Sequence, residues 1–187
     1  MDNTKIGMTL DDVDKLVHDY IVADEAYPSA IGFHHFPKSV CTSVNDVVTH
    51  GVPNNYELKN GDYLNIDVVC YKQGHHGDNS AMVLMGDVHP DVVALSKATR
   101  EAMWSAINIC KPGTKFNQIG ETIEEYAGDK GYFVNREFGG HGIAHELHLP
   151  PLVHHYKTKQ NSTEEMRPGM AFTIEPILMM GSRFGYV

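Results

Sequence analysis

Two stretches decide the fold: KIGMTLDDVDKLVHDY, residues 5–20, and KPGTKFNQIGETIEEY, residues 111–126. Lys5, Leu10, Val13, Val17 and Tyr20 fall on Lys111, Phe116, Ile119, Ile123 and Tyr126, each 106 residues later. In both, a glycine turn precedes apolar residues at helical spacing. Each stretch therefore predicts an amphipathic helix with those residues on its buried face. A second pair follows, LKNGDYLNID at 58–67 and MRPGMAFTIE at 166–175. Here Leu58, Gly61, Leu64, Ile66 and Asp67 fall on Met166, Gly169, Phe172, Ile174 and Glu175, each 108 residues later. Between the paired stretches stand His50-Gly51-Val52 in the first half and His141-Gly142-Ile143 in the second. Short apolar patterns recur by chance. Two ordered runs at near-constant offsets make chance the weaker account. The chain reads as one α+β domain of two similar halves, about 1–90 and 91–187, each offering a His and an acid.

The repeat also sets an expectation about the ends. A helix from about Ala94 to Cys110, with Leu95, Ala98, Ala102, Met103 and Ala106 at helical period, precedes Lys111. Only four residues precede Lys5, so the counterpart helix is expected to be missing and the chain incomplete.

Composition narrows the class. A chain of 187 residues suits one domain with a real core. The net charge of −9 argues against nucleic acid as the main partner. No apolar run is long enough to span a bilayer, and the first residues lack the pattern of a secretory signal. Cys41, Cys70 and Cys110 form no C-x-x-C pair, which favours reduced thiols and a cytoplasmic location.

The chemistry begins at a hairpin. Asp62 to Cys70 reads as a strand, Lys72-Gln73-Gly74 as the turn and His75 to Met85 as the return. With Lys72-Gln73 as the two-residue loop, Asp67 faces Asp78. A three-residue loop through Gly74 shifts the pairing by one. Either register leaves two carboxylates within roughly 5–8 Å of each other, a conflict that a bound cation relieves. The alternative, carboxylates pointing to solvent on opposite faces, stays open from the hairpin alone. Further on, Gly139-Gly140-His141-Gly142-Ile143 puts a His in a loop whose glycines allow close backbone approach. Thr173-Ile174-Glu175-Pro176 puts an acid in an apolar strand expected from Met170 to Met179, where a lone Glu is costly unless paired or ligated. One His with three carboxylates suits Mn, Co, Fe or Zn better than Ca. His145-Glu146-Leu147-His148 is not a zincin helix, because Leu149 stands where the second His belongs. His34, His35, His75, His76, His154 and His155 are expected at the surface or a pocket rim.

His50-Gly51, Asn65-Ile66-Asp67, Gly77-Asp78, Gly140-His141-Gly142-Ile143 and Thr173-Ile174-Glu175-Pro176 together resemble the signature of methionine aminopeptidases, in the M24 or pita-bread metallopeptidase family. The resemblance runs from about Lys5 to Met180. Phe36-Pro37-Lys38-Ser39-Val40-Cys41-Thr42-Ser43-Val44-Asn45 resembles the type I enzymes. It implies the pita-bread fold, two pseudosymmetric αβ halves around a central antiparallel sheet. It implies a centre of two divalent ions (Co, Mn, Fe or Zn), with Asp67, Asp78, His141 and Glu175 as ligands. A last bridging Glu of the family has no counterpart after Glu175, and the tail from Gly181 to Val187 departs from the pattern. The resemblance makes Glu175 the base or proton shuttle, His148 the donor to the tetrahedral intermediate and His50 the group beside the scissile amide. It makes Phe33, Phe36 and Cys41, with His50 and His148, the substrate pocket for a Met side chain, although the two Phe alone would read as core. Leu147 stands where many relatives carry an aromatic residue. The implied reaction is removal of the first Met from nascent polypeptides with small second residues. The implied protein is a monomer whose partners are nascent chains, with ribosome association compatible. A prolidase or aminopeptidase P relative fits residues 36–50 poorly. Non-catalytic pita-bread relatives that bind partners lose ligands, whereas Asp67, Asp78, His141 and Glu175 are kept here, and a purely structural metal protein would have no use for His50 and His148.

Overall fold

The computed structural model describes residues 3–181. Met1, Asp2 and the tail residues 182–187, on which the tail expectation partly rests, lie outside the described residues. The described residues divide into two compact units, one of residues up to Val93 with His145–Leu147, the other of Ala94–Ala144 with residues 148–181.

In the first unit, helix α1 (Leu10–Ala23) starts where Thr9 and Asp12 cap each other's backbone N–H groups. Leu10, Val13 and Ile21 are buried, whereas Tyr20 is 79 % exposed and is not part of the core face. The reason is helical phase: eleven residues close about three turns, so Ile21 rather than Tyr20 returns to the direction of Leu10. Strand β3 (Tyr63–Lys72) is central. It pairs antiparallel with β4 (His75–Leu84), with β1 (Tyr27–Pro28) and with β2 (Cys41–Val44). Leu64 and Ile66 point to a core of Leu10, Val13, Val40, Leu58 and Met85. Alternation then puts Asn65 and Asp67 on the opposite face.

Helix α2 (Pro90–Ile109) begins in the last residues of the first unit and carries the chain into the second, longer at its start than the periodicity predicts because Pro90 suits a first helical position. Its buried face is Ala98, Ala102 and Ala106. Small side chains here admit Phe116, Ile119 and Ile123 into one core with Val134, Val153, Met166 and Leu178. Helix α3 (Asn117–Asp129) supplies Ile119, Ile123 and Ala127, and Ala127 takes the place that Ile21 takes in α1. Strands β5 (Phe133–Val134) and β8 (Leu178–Met179) pair, as do β6 (Gly140–Gly142) and β7 (Leu149–Val153), all antiparallel.

The sequence repeat is a repeat of backbone hydrogen bonds. Gly7 N–H donates to Leu58 O at 2.8 Å, and Gly113 N–H donates to Met166 O at 2.9 Å. Leu10 N–H meets Tyr56 O, and Phe116 N–H meets Glu164 O, both at 3.0 Å. Gly7 and Gly113 have φ of 90° and 86°, and Gly61 and Gly169 have φ of 94° and 86°. These positions need the left-handed region that glycine enters freely, which is why glycine recurs at both offsets.

Candidate metal centre

The hairpin turn is one residue further along than expected. Gln73 and Gly74 are its two central residues, with φ of 51° and 89°, the signs of a type I′ turn. Lys72 therefore pairs with His75, Asp67 with Ser80 and Val69 with Asp78. The expected direct pairing of Asp67 with Asp78 is thus corrected. The two carboxylates are diagonal neighbours on one face, with Cα atoms roughly 7–8 Å apart. Cys41 is the β2 partner of Asp67 and shares that face. Burial, then Asp67 and Asp78, push the Cys41 thiol up to about 12, so it is a soft neutral surface rather than a nucleophile.

His50 belongs to the same unit and stands before a glycine with a packing role. A Cβ on Gly51 would lie 2.2 Å from Thr42 O, and Gly51 O accepts from Thr42 N–H at 2.8 Å. This contact pins the His50 loop to strand β2. His50 itself has φ of 54°, an uncommon conformation for a non-glycine residue. Partial burial lowers its pKa while Asp78 acts to raise it. The charge of Asp78 therefore reaches both Cys41 and His50. Phe33 is 39 % exposed in a short 3₁₀ turn at Phe33–His35, and Phe36 is half-buried at its end. That exposure does not fit the ordinary-core alternative for Phe33.

In the second unit, a glycine cradle holds His141. A Cβ on Gly140 would lie 2.3 Å from Thr173 O, and one on Gly142 would lie 2.4 Å from Pro150 O. His141 is 8 % exposed. Its Nδ1–H donates to Gly142 O at 3.0 Å, so in the neutral ring Nε2 carries the lone pair. That Nε2 lies 3.6 Å from Glu175 Oε1. The ring of His148 stands edge-on to that of His141, centroids 4.1 Å apart, and His148 is exposed. Sequence reasoning missed Thr173. Its hydroxyl accepts from His141 N–H at 3.0 Å and donates to Glu175 Oε1 at 2.5 Å, so one side chain ties both groups together.

Two expectations are corrected here. The apolar strand from Met170 to Met179 is only β8 at its end, and the Glu175 side chain is 41 % exposed. The segment instead follows the His141 loop through Gly142–Phe172 bridging and Thr173 N–H to His141 O at 2.8 Å. Burial cost therefore does not argue for ligation of Glu175, whereas its place beside His141 Nε2 does. His155 is not a surface residue either: it is 1 % exposed, and burial and then His154 push its pKa down to about 3.

The donor set fits a divalent cation. A carboxylate oxygen and an imidazole lone pair face each other in one unit, and two carboxylates share a strand face in the other. Like lone pairs and like charges at these spacings call for a positive charge.

The profile of metallopeptidase family M24 matches residues 1–186. The chain belongs to metallopeptidase family M24. Within M24 it is similar to methionine aminopeptidase 1C, chloroplastic/mitochondrial, of Arabidopsis thaliana, 45 % identical over 94 % of this chain and 51 % of that protein. It is also similar to methionine aminopeptidase 2 of Mycobacterium tuberculosis, 46 % identical over 94 % of this chain and 61 % of that one. The crystal structure of methionine aminopeptidase from Rickettsia prowazekii superposes with a TM-score of 0.94 at 38 % identity, covering 98 % of this chain and 73 % of that one. These likenesses bear out the pita-bread α+β class. The chain spans about half the length of the Arabidopsis relative, as the 51 % coverage states. Among the described residues no helix is long and apolar enough to cross a membrane.

Proposed function

We propose that this M24 chain is the catalytic part of a type I methionine aminopeptidase, removing the N-terminal Met from nascent polypeptides with small second residues. The observation that carries the reading is the His141–Thr173–Glu175 constellation in a chain of this family: one hydroxyl holds both the His141 backbone N–H and the Glu175 carboxylate, whose Oε1 lies 3.6 Å from His141 Nε2. Asp67, Asp78, His141 and Glu175 hold two divalent ions of the Co, Mn, Fe or Zn class. Ions bound there would supply Lewis acidity toward the first peptide carbonyl and toward water. Glu175 takes the proton from the attacking water at its carboxylate, and Thr173 Oγ holds that carboxylate in direction. His148 donates to the carbonyl oxygen as negative charge develops there. His50 lies beside the leaving amine. Phe33, Phe36 and Cys41 take the Met side chain, and a neutral thiol with two aromatic faces suits a thioether. The protein acts as a cytoplasmic monomer on nascent N-termini, without nucleic acid or membrane, and ribosome association fits that substrate.

The experiment is peptide cleavage after refilling with Mn²⁺ or Co²⁺. Met-Ala-Ser is cut to Met and Ala-Ser, and Met-Lys-Ser is cut hardly at all. Preference for a first-position Leu or a second-position Pro would move the assignment to the prolidase branch.

A further inference from the structure

His155 is the most deeply buried imidazole in the second unit and touches neither substrate nor ions in the function proposed above. It follows strand β7 with the parity of Val153, and both are buried. The segment that carries it is pressed onto helix α3. A Cβ on Gly120 would lie 2.3 Å from Tyr156 O and 2.7 Å from His154 O. The His155 ring is therefore mounted on a rigid support.

Its Nε2 accepts the backbone N–H of Glu175 at 3.2 Å. The contact fills a gap in the backbone pairing around Glu175. On one side Thr173 N–H is bonded to His141 O, and on the other Ile177 O accepts from Asn135 N–H ahead of β8. Between them the Glu175 amide is held by a side chain instead of a strand. A buried polar ring without a partner is costly, and the Glu175 amide supplies one for His155 Nε2.

We propose that His155 is a positioning residue for Glu175: its Nε2 takes the Glu175 amide, which no strand among the described residues pairs, and fixes the backbone from which the carboxylate projects toward His141. The inference rests on the ligand role proposed for Glu175. His155 acts through Glu175, as supporting groups behind metal ligands do, where loss typically weakens metal affinity 10–100-fold.

Two measurements test it. In uniformly ¹⁵N-labelled, metal-free protein, an N–H···N bond produces a through-bond correlation between the Glu175 amide nitrogen and His155 Nε2. Mn²⁺ titration then compares wild type, His155→Leu and His155→Gln. The Leu variant loses about 10–100-fold in affinity, and the Gln variant, whose amide oxygen reaches the same amide, stays within a few-fold of wild type. Absence of the correlation, or equal Mn²⁺ affinity in all three proteins, overturns the proposal. Should His155→Leu fail to fold, the correlation and the Gln variant decide. Full-length, folded wild-type protein that takes up no Mn²⁺ overturns the ligand assignment instead. Glu175 amide exchange then decides for His155: faster in Leu than in Gln, with α3 amides unchanged, supports positioning, and equal exchange overturns it.

Discussion

Gly140→Ala is expected to be far more damaging than its one added methyl suggests. The new Cβ would sit 2.3 Å from Thr173 O and 2.9 Å from Thr173 C and Oγ1. An ordinary C···O approach is about 3.3 Å, so the two backbones must part by about 1 Å. The contact is backbone, and no flexible side-chain end can move aside. Three hydrogen bonds share that place: Thr173 N–H to His141 O at 2.8 Å, His141 N–H to Thr173 Oγ1 at 3.0 Å, and Thr173 Oγ1–H to Glu175 Oε1 at 2.5 Å. Overpacking costs about 1–3 kcal/mol, and each weakened hydrogen bond adds about 0.5–1.5 kcal/mol. Summed over the three bonds, the expected loss is about 2.5–7.5 kcal/mol in urea unfolding of the metal-free protein. The same shift separates His141 from Glu175, so Mn²⁺ affinity falls at least about tenfold. A variant as stable as wild type with unchanged Mn²⁺ affinity would refute the account of the glycine cradle.

Gly128→Ala is the opposite case. Gly128 lies inside α3 with nothing within 4 Å of a new Cβ, and the variant gains about 0.5–1 kcal/mol in thermal or urea unfolding. Asp62 is 7 % exposed, and burial alone would raise its pKa. Hydrogen bonds from Asn45, the Lys59 N–H and Tyr56 outweigh burial and hold it below the usual carboxylate range. Its contribution is thus present above the unfolded carboxylate pKa, about 3.9, and is lost as pH falls through the lower folded value. Acid unfolding of Asp62→Asn begins from a state about 1–3 kcal/mol less stable at neutral pH and is less steep below about pH 4. His148→Ala lowers turnover of Met-Ala-Ser by about 10²–10³-fold with metal content intact, whereas Asp78→Ala loses metal and activity together. Metal analysis alongside the kinetics separates the two, and loss of metal in His148→Ala would break the division between ligand and donor.

Local, repeating information was legible in the chain itself. The helix faces of Leu10, Val13, Ile119 and Ile123 follow from a 3.6-residue period, and the recurrent glycines at 7, 61, 113 and 169 follow from backbone angles that side chains disfavour. The strand, turn and return strand around Asp67 and Asp78 follow from alternation and turn composition. What failed depended on contacts between distant residues. Lys72-Gln73 and Gln73-Gly74 are both readable as a two-residue loop. The pairing of Tyr63 with Leu84 ten residues away from the turn belongs to the chosen register, and a shift there moves every partner. Glu175 lies among apolar residues in sequence yet is exposed, because Phe172 and Thr173 pair with the His141 loop rather than continuing a strand. His155 sits in a polar run and is nevertheless buried, because Gly120 lets α3 close onto its backbone. The sequence by itself determined the repeated elements and the residue types available for chemistry, since periodicity and glycine geometry are local. Only the tertiary structure decided which acid stands beside which imidazole, because register, burial and close approach are set by residues far away along the chain.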